Sequence, residues 1–138
     1  MKTVGIVGGI APESTIEYYR QIIYAYRAQS SDGDYPSIII NSINLRRMID
    51  LITANELAAV TEYLLDAIGK LARAVADFAV LASNTPHIVF DELRARASLV
   101  AAHAEGERVT RRIVSRCGGP AIRGSALHAP SRPTQRER

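Results

Sequence analysis

The hydrophobic positions of this chain form two kinds of segment, continuous apolar runs and longer runs with apolar residues at helical spacing. The continuous runs predict three strands: 3–7, 37–43 and 77–82. The second is interpreted as a buried strand that ends in polar residues, and the third has no polar face. The helically spaced runs predict four helices: 16–27, 45–52, 53–76 and 88–97. The order β-α-β-α-α-β-α therefore predicts an α/β fold, a parallel sheet flanked by helices with right-handed crossovers.

The same periodicity predicts which side chains are buried. In the first helix the apolar stripe comprises Ile16, Tyr19, Ile22, Ile23 and Tyr26. The third helix opens on a sequence that matches a capping box, Thr53-Ala54-Asn55-Glu56. Its predicted buried stripe comprises Leu57, Val60, Leu64, Leu65, Ile68, Leu71 and Val75. In the last helix the inward positions are Val89, Leu93 and Phe90.

Small polar residues follow each predicted strand. Gly8-Gly9 opens a strand-to-helix turn, Asn41-Ser42 ends the second strand, and Ser83-Asn84-Thr85 follows the third. Because the carboxyl ends of parallel strands share one edge, where α/β sheets bind small ligands, we expect these groups to converge. A glycine turn before a helix suits a carboxylate or phosphate, although the G-x-G-x-x-G dinucleotide spacing is absent. The alternative interpretation is structural, with these residues only closing tight turns.

Three charged or titratable side chains stand near the same edge. Arg46 and Arg47 could reach a carboxylate there, or lie on a solvated helix face. His87 is either an acid/base group or a capping residue of the last helix. No metal site is predicted.

Composition narrows the class of protein. The 138 residues, 47% of them hydrophobic, suffice for one domain with a real core. No apolar run approaches the roughly 18 residues of a membrane span, and the N-terminus lacks the layout of a signal peptide. The single cysteine, Cys117, excludes an internal disulfide and suits a reducing compartment. We therefore expect a cytoplasmic protein without membrane contact.

The positive charge belongs to one end of the chain. Residues 1–100 carry nine basic and eleven acidic side chains, whereas residues 101–138 carry eight arginines and three glutamates. From Gly118 onward the Arg/Ser/Pro/Gly-rich composition is typical of disorder. Clustered positive charge is sufficient for nucleic-acid binding, but no folded recognition motif accompanies it, so nucleic acid is not the expected partner.

Several of these motifs together resemble the aspartate/glutamate racemase family. The resemblance rests on Met1–Gly9, Pro12-Glu13-Ser14-Thr15, Tyr18-Tyr19-Arg20, Asn41-Ser42 and Ser83-Asn84-Thr85-Pro86-His87, and covers about residues 1–99. It implies one half of a two-domain α/β architecture with the substrate in the cleft between the domains. It also implies an isomerase that needs no cofactor, in which two residues on opposite faces remove and return the α-proton.

The resemblance assigns roles to individual residues. Ser83 falls where the first domain of the family presents a catalytic cysteine, and Asn84 and Thr85 match its substrate-holding residues. Ile10 matches an apolar residue that borders the substrate, and Asn41 and Ser42 are further candidates for substrate binding. An unassisted serine hydroxyl is a poor base for a carbon acid at neutral pH. Pro86 also replaces a small residue of the family pattern.

A second departure begins near residue 100. We predict a racemase-like domain over 1–99 and a divergent basic tail over 100–138, helical at first (107–116) and then disordered. Cys117 lacks the sequence context of the family's second cysteine and is not assigned as the second base. A reading-frame change or truncation in a gene for a full-length racemase is the hypothesis that accounts for this switch.

The sequence thus supports two main hypotheses of different class. The first is a cofactor-independent aspartate/glutamate-type racemase that takes an acidic amino acid and is weak or inactive as this chain. The alternative is a non-catalytic half-domain that binds a small anion or pairs with another subunit. Since the missing half would expose apolar surface, either a homodimer or poor solubility is expected.

Overall fold

The computed structural model describes residues 2–82 and 89–97, together with the backbone of 101–103. These residues form four strands and four helices: β1 (Val4–Gly8), α1 (Pro12–Gln29), β2 (Ile38–Ser42), α2 (Leu45–Thr53), α3 (Leu57–Arg73), β3 (Phe78–Leu81), α4 (Phe90–Arg96) and β4 (Ala101–His103). None of the described helices is both long and apolar enough to cross a membrane.

The strands form one parallel sheet in the order β2-β1-β3-β4, which confirms the predicted α/β fold. β1 is hydrogen-bonded on both sides, with Val4 opposite Ile38 of β2 and Phe78 of β3. All five residues of β1 and all four of β3 are buried. Such fully apolar runs occur where helices cover both faces of a parallel sheet.

Each face of the sheet has its own core. On one face, α2, α3 and α4 pack against Val7, Ala79 and Leu81. On the other face, α1 packs through Ile22, Ala25 and Tyr26 against a second set of strand residues, Val4, Ile6, Phe78 and Val80. Adjacent strand residues point to opposite faces, so one short strand supplies both cores.

Two predictions of burial were wrong on the α1 side. Ile16 and Tyr19 are 61% and 43% exposed, because the buried face of α1 is centred on Thr15, Ile22 and Ala25. β2 is an edge strand rather than a fully buried one, and Ile40 is 41% exposed. Both errors have one cause, since apolar residues at helical or strand spacing do not tell which side of an element lacks a neighbour.

The predicted capping box was also wrong, because Thr53 still belongs to α2 and Glu56 provides no side-chain cap for α3. Instead, Asn55 adopts a φ of 55° just after α2. Its N–H donates to the carbonyl of Ile52, and the N–H of Glu56 donates to that of Leu51. This pair of bonds is a Schellman motif, which ends a helix through a left-handed residue.

Helix α4 is tied to α3 by an ion-pair cluster. Arg96 donates to Glu62 at 2.6 Å and to Glu92 at 3.4 Å. The hydrogen bond to Glu62, followed by its negative charge, raises the pKa of the Arg96 guanidinium above its ordinary value. Val89 and Leu93 are buried, as predicted, and seat the same helix in the core.

Strand β4 was not predicted, and it extends the sheet past residue 99, the predicted end of the domain. Its backbone pairs in parallel with β3, with Ala101 opposite Ala79. A short alanine-rich segment lacks the β-branched pattern by which strands are recognised. The rest of the predicted tail, 104–138, lies outside the described residues.

Helix α3 ends in a second Schellman motif, with a valine in the left-handed position. Val75 has a φ of 70° and is 78% exposed, and the N–H groups of Val75 and Ala76 donate to Ala72 and Leu71. A β-branched residue is strained there and gains nothing from burial. We expect Val75→Gly to raise the free energy of unfolding by about 1 kcal/mol in urea titrations.

Asn55→Gly is the matched control for this prediction, because asparagine tolerates the left-handed conformation at the equivalent position of α2. It should change stability by less than about 0.5 kcal/mol. A fall in stability on Val75→Gly would contradict the strain argument.

Candidate functional site

The carboxyl ends of β1, β2 and β3 meet at one edge of the sheet. Gly8 of β1 stands opposite Ser42 of β2, and the N–H of Ile43 donates to the carbonyl of Gly8 at 2.9 Å. On the other side of β1, the N–H of Ala82 donates to the carbonyl of Val7 at 3.0 Å. The backbone therefore brings three chain segments together where α/β sheets bind ligands.

The Gly8-Gly9 turn leaves no room for side chains. A Cβ at Gly8 would lie 2.4 Å from Cγ2 of Thr15, and one at Gly9 would lie 2.4 Å from the carbonyl oxygen of Ile43. Gly9 also has a φ of 88°, which glycine adopts without strain. The turn is thus wedged between the start of α1 and the end of β2.

A buried hydrogen bond fastens this turn to α1. The N–H of Gly9 donates to Oγ1 of Thr15 at 2.8 Å, and Thr15 is 7% exposed. Because that N–H is already bonded inside the protein, it is not available to hold an anion. For this N–H group, the alternative interpretation from the sequence applies, in which the glycines close a tight turn.

Ile10 and Asn41 both face the protein interior. Ile10 is 4% exposed and belongs to the core on the α2–α3 side of the sheet. The side-chain Nδ2 of Asn41 donates to the carbonyl oxygen of Ala67 in α3 at 3.1 Å, which ties the end of β2 to that helix. Their roles in substrate binding stay predictions.

Ser42 is exposed at the same edge, in contrast to Asn41 beside it. Its Oγ lies 2.8 Å from the place a Cβ of Gly9 would take, so it borders the glycine turn. Its role in substrate binding stays a prediction. Ser83, Asn84 and Thr85, with Pro86 and His87, lie outside the described residues. The last described residue before them, Ala82, is hydrogen-bonded to β1 at this edge.

The two arginines that follow β2 have different surroundings. Arg46 pairs with Asp50 at 3.3 Å, and its side chain is 85% exposed, so it lies on a solvated helix face. The guanidinium of Arg47 lies 4.8 Å from the centroid of the Tyr63 ring. A cation–π contact of this kind holds the planar group in one orientation.

Arg47 is positioned by a small network at the start of α2. Its backbone N–H donates at 3.2 Å to the side chain of Asn44, which caps the helix. The hydroxyl of Tyr63 accepts at 3.0 Å from the backbone N–H of Asn44. The role of Tyr63 was not predicted from the sequence. It depends on a contact between α3 and the start of α2, and no local sequence motif indicates such a contact.

Comparison with known proteins agrees with this architecture. The family described as Asp/Glu/Hydantoin racemase matches residues 7–118. The chain belongs to the Asp/Glu/hydantoin racemase family. The sequence-based resemblance is thereby confirmed, and the match extends beyond the predicted domain end at residue 99.

Solved structures of the family share the fold. A Yersinia pestis protein assigned as an Asp/Glu racemase superimposes with a TM-score of 0.72 at 30% identity, over 86% of this chain and 50% of its own. An aspartate racemase homologue from Pyrococcus horikoshii superimposes with a TM-score of 0.67 at 35% identity, over 75% of this chain and 45% of its own. Aspartate racemase from Picrophilus torridus superimposes with a TM-score of 0.54 at 18% identity, over 84% of this chain and 75% of its own. At this identity the comparison supports only a shared fold. The chain spans about half the length of the first two.

The hydrogen bond between Gly9 and Thr15 can be tested directly. Thr15→Val keeps the shape of the side chain but leaves the buried N–H of Gly9 without its acceptor. We expect a loss of about 1–3 kcal/mol in the free energy of unfolding, measured by urea titration.

Thr61→Val is the matched control, since Thr61 is fully buried and its hydroxyl donates only to the carbonyl of Leu57 in its own helix. That carbonyl keeps its helical bond, so the cost should stay below about 1 kcal/mol. Equal losses in the two variants would contradict a special role for the turn.

Proposed function

We propose that this chain is the substrate-holding half of a cofactor-independent racemase that acts on acidic amino acids. The observation that carries the proposal is the convergence of the Gly8-Gly9 turn, Ser42 and the start of α2 at the carboxyl edge of a racemase-family sheet. The family and the related structures support the reaction type. The substrate, the activity and the absence of a cofactor belong to the proposal.

An acidic substrate fits the chemistry of the α2 start. Arg47 offers a planar guanidinium that binds a carboxylate through two parallel hydrogen bonds. Its stacking on Tyr63 reduces the conformational freedom lost on binding. Ser42, an exposed residue on the β2 strand that leads into α2, adds a hydroxyl as a neutral donor.

Inversion at the α-carbon requires a base on one face and an acid on the other. Ser83 occupies the family position of the first of these groups, and a hydroxyl accepts a proton far less readily than a thiolate. The opposite group would come from a second domain in a protein of the relatives' length. We therefore propose that this polypeptide holds substrate but exchanges its α-proton slowly.

The single cysteine is compatible with a reducing compartment, and we propose that the protein acts in the cytoplasm.

A non-catalytic anion-binding half-domain is the second candidate. Two donors at the sheet edge, the N–H of Gly9 and Nδ2 of Asn41, are already bonded within the protein. Because these two donors are satisfied, other groups at the edge would have to bind the anion, and serine at position 83 favours binding without turnover.

The role of Arg47 predicts a selective loss of binding. Arg47→Met should weaken the binding of aspartate and glutamate about tenfold or more, measured by calorimetry, because the carboxylate loses its charged partner. Arg46→Met removes an equal charge from the neighbouring position and should have less than about a twofold effect. Equal losses in both variants would indicate only a general electrostatic attraction.

Isotope exchange distinguishes the two candidates. In deuterated water, Ser83→Cys should speed the loss of the α-proton of aspartate or glutamate, monitored by NMR, because a thiolate is the better base. All variants carry Cys117→Ser so that no other thiol contributes. Ser83→Ala is the matched control and should not exceed the unsubstituted chain. If aspartate and glutamate bind but Ser83→Cys gives no exchange, the non-catalytic candidate is correct.

A further inference from the structure

The hydroxyl of Tyr63 is held near the carboxyl edge of the sheet by the backbone of Asn44. The N–H of Asn44 donates to the Tyr63 oxygen at 3.0 Å. The ring of Tyr63 is half-buried and packs against the core on the α2–α3 side of the sheet. The side chain is therefore held at both ends, at the edge where α/β sheets bind ligands.

Two hydrogen bonds between the β2 segment and α3 show how high this hydroxyl lies along the sheet. Asn41, within β2, bonds to the carbonyl of Ala67, whereas Asn44, two residues past the end of β2, bonds to Tyr63. The contacts move forward along β2 and backward along α3, so the two elements run antiparallel. The Tyr63 hydroxyl consequently lies beyond the last residue of the strand, on the side of the edge that is open to a ligand.

The hydroxyl is close enough to Ser42 for one small ligand to contact both. Two residues of chain span at most about 7 Å, so the backbone nitrogen of Asn44 lies within that distance of the Cα of Ser42. Adding the hydrogen bond of 3.0 Å places the Tyr63 oxygen within about 10 Å of the same Cα. The side chain of Ser42 and a bound amino acid together can bridge such a distance.

The Tyr63 hydroxyl has a proton to donate to that ligand. A phenol oxygen accepts hydrogen bonds and also carries one O–H donor. The oxygen accepts from Asn44, and no described residue accepts the proton of the hydroxyl. In the free protein this proton is left to solvent, and a ligand with an acceptor can take the place of the water.

Arg47 adds further donors beside this hydroxyl. Its guanidinium lies 4.8 Å from the centroid of the Tyr63 ring. None of the described acidic side chains forms an ion pair with Arg47, whereas the neighbouring Arg46 is paired with Asp50. A guanidinium cannot accept hydrogen bonds, and an ionised carboxylate can only accept them. The two side chains together thus suit a carboxylate better than a group that must also donate.

We infer that Tyr63 is a substrate-binding residue, whose hydroxyl donates to the carboxylate that Arg47 binds. Each carboxylate oxygen accepts about two hydrogen bonds, so one oxygen can accept from Tyr63 as well as from the guanidinium. This inference rests on the proposed function. It adds a neutral donor on α3 to the charged donor on α2, so that both helices take part in holding the substrate.

A second tyrosine of the chain has a similar stacked arginine but lies away from the site. The guanidinium of Arg27 lies 4.9 Å from the ring centroid of Tyr35. Tyr35 precedes β2, which begins at Ile38, so it lies toward the opposite, amino edge of the sheet. Tyr35→Phe therefore removes the same oxygen from the same kind of pair and is the matched control.

The test measures the binding of aspartate and glutamate to the full chain by calorimetry. Tyr63→Phe keeps the ring and its contact with Arg47 but removes the hydroxyl. It should raise the dissociation constant about tenfold, because a hydrogen bond to a charged group is lost. Tyr35→Phe should leave the constant within about twofold. Equal affinities in these two variants would overturn the inference.

A double substitution distinguishes a direct contact from an effect that passes through Arg47. If the hydroxyl acted only by orienting Arg47, Tyr63→Phe would cause no loss of affinity in the Arg47→Met background. A direct donor should still cause a loss of about threefold or more in that background. Absence of this loss contradicts a contact between Tyr63 and the substrate.

Failure of the proposed function gives a different result from failure of this inference. If the unsubstituted chain binds neither aspartate nor glutamate, the proposed function is wrong and the role of Tyr63 is wrong with it. If the chain binds them and Tyr63→Phe binds them equally well, only the role of Tyr63 is wrong. The circular dichroism spectrum of each variant verifies its fold.

Discussion

The pairing of β1 with strands on both sides is the constraint on which the rest of the structure depends. Its five residues are buried, and its backbone fixes the register of β2 and β3 at once. Because these backbone bonds align the strand ends, Gly8, Ser42 and Ala82 reach the same edge of the sheet. The chemistry of the edge can therefore vary while the sheet keeps its parts in position.

The sequence was a good guide where burial is complete on both sides. The apolar runs of β1 and β3 and the inward positions of α4 were predicted, since a short run without polar residues is stable only when both of its faces are covered. It was a poor guide where no other element of the described structure covers an apolar side chain, as at Ile16, Tyr19 and Ile40. The pattern of a stripe is the same whether a helix, a solvent layer or another chain covers it.

For the candidate site, too, some features could be predicted from the sequence and others could not. Its location followed from strand polarity, and its family followed from the motifs quoted for it. The partners of individual side chains did not follow, because they depend on contacts between elements distant in sequence, such as Asn41 with Ala67 and Arg47 with Tyr63. Some of the polar groups named at the strand ends proved to be engaged in holding the edge together.

The ion-pair cluster of Arg96, Glu62 and Glu92 makes the segment that precedes α4 suitable for mutational experiments. Before residues 83–88, Ala82 is hydrogen-bonded to β1. After them, the ion-pair cluster and the buried Leu93 attach α4 to α3. Both flanks of the segment are therefore anchored independently of its own side chains. Substitutions at Ser83, Asn84 or Thr85 can be compared as changes of functional group on a common frame, which makes this short connection a suitable place for systematic chemical replacement.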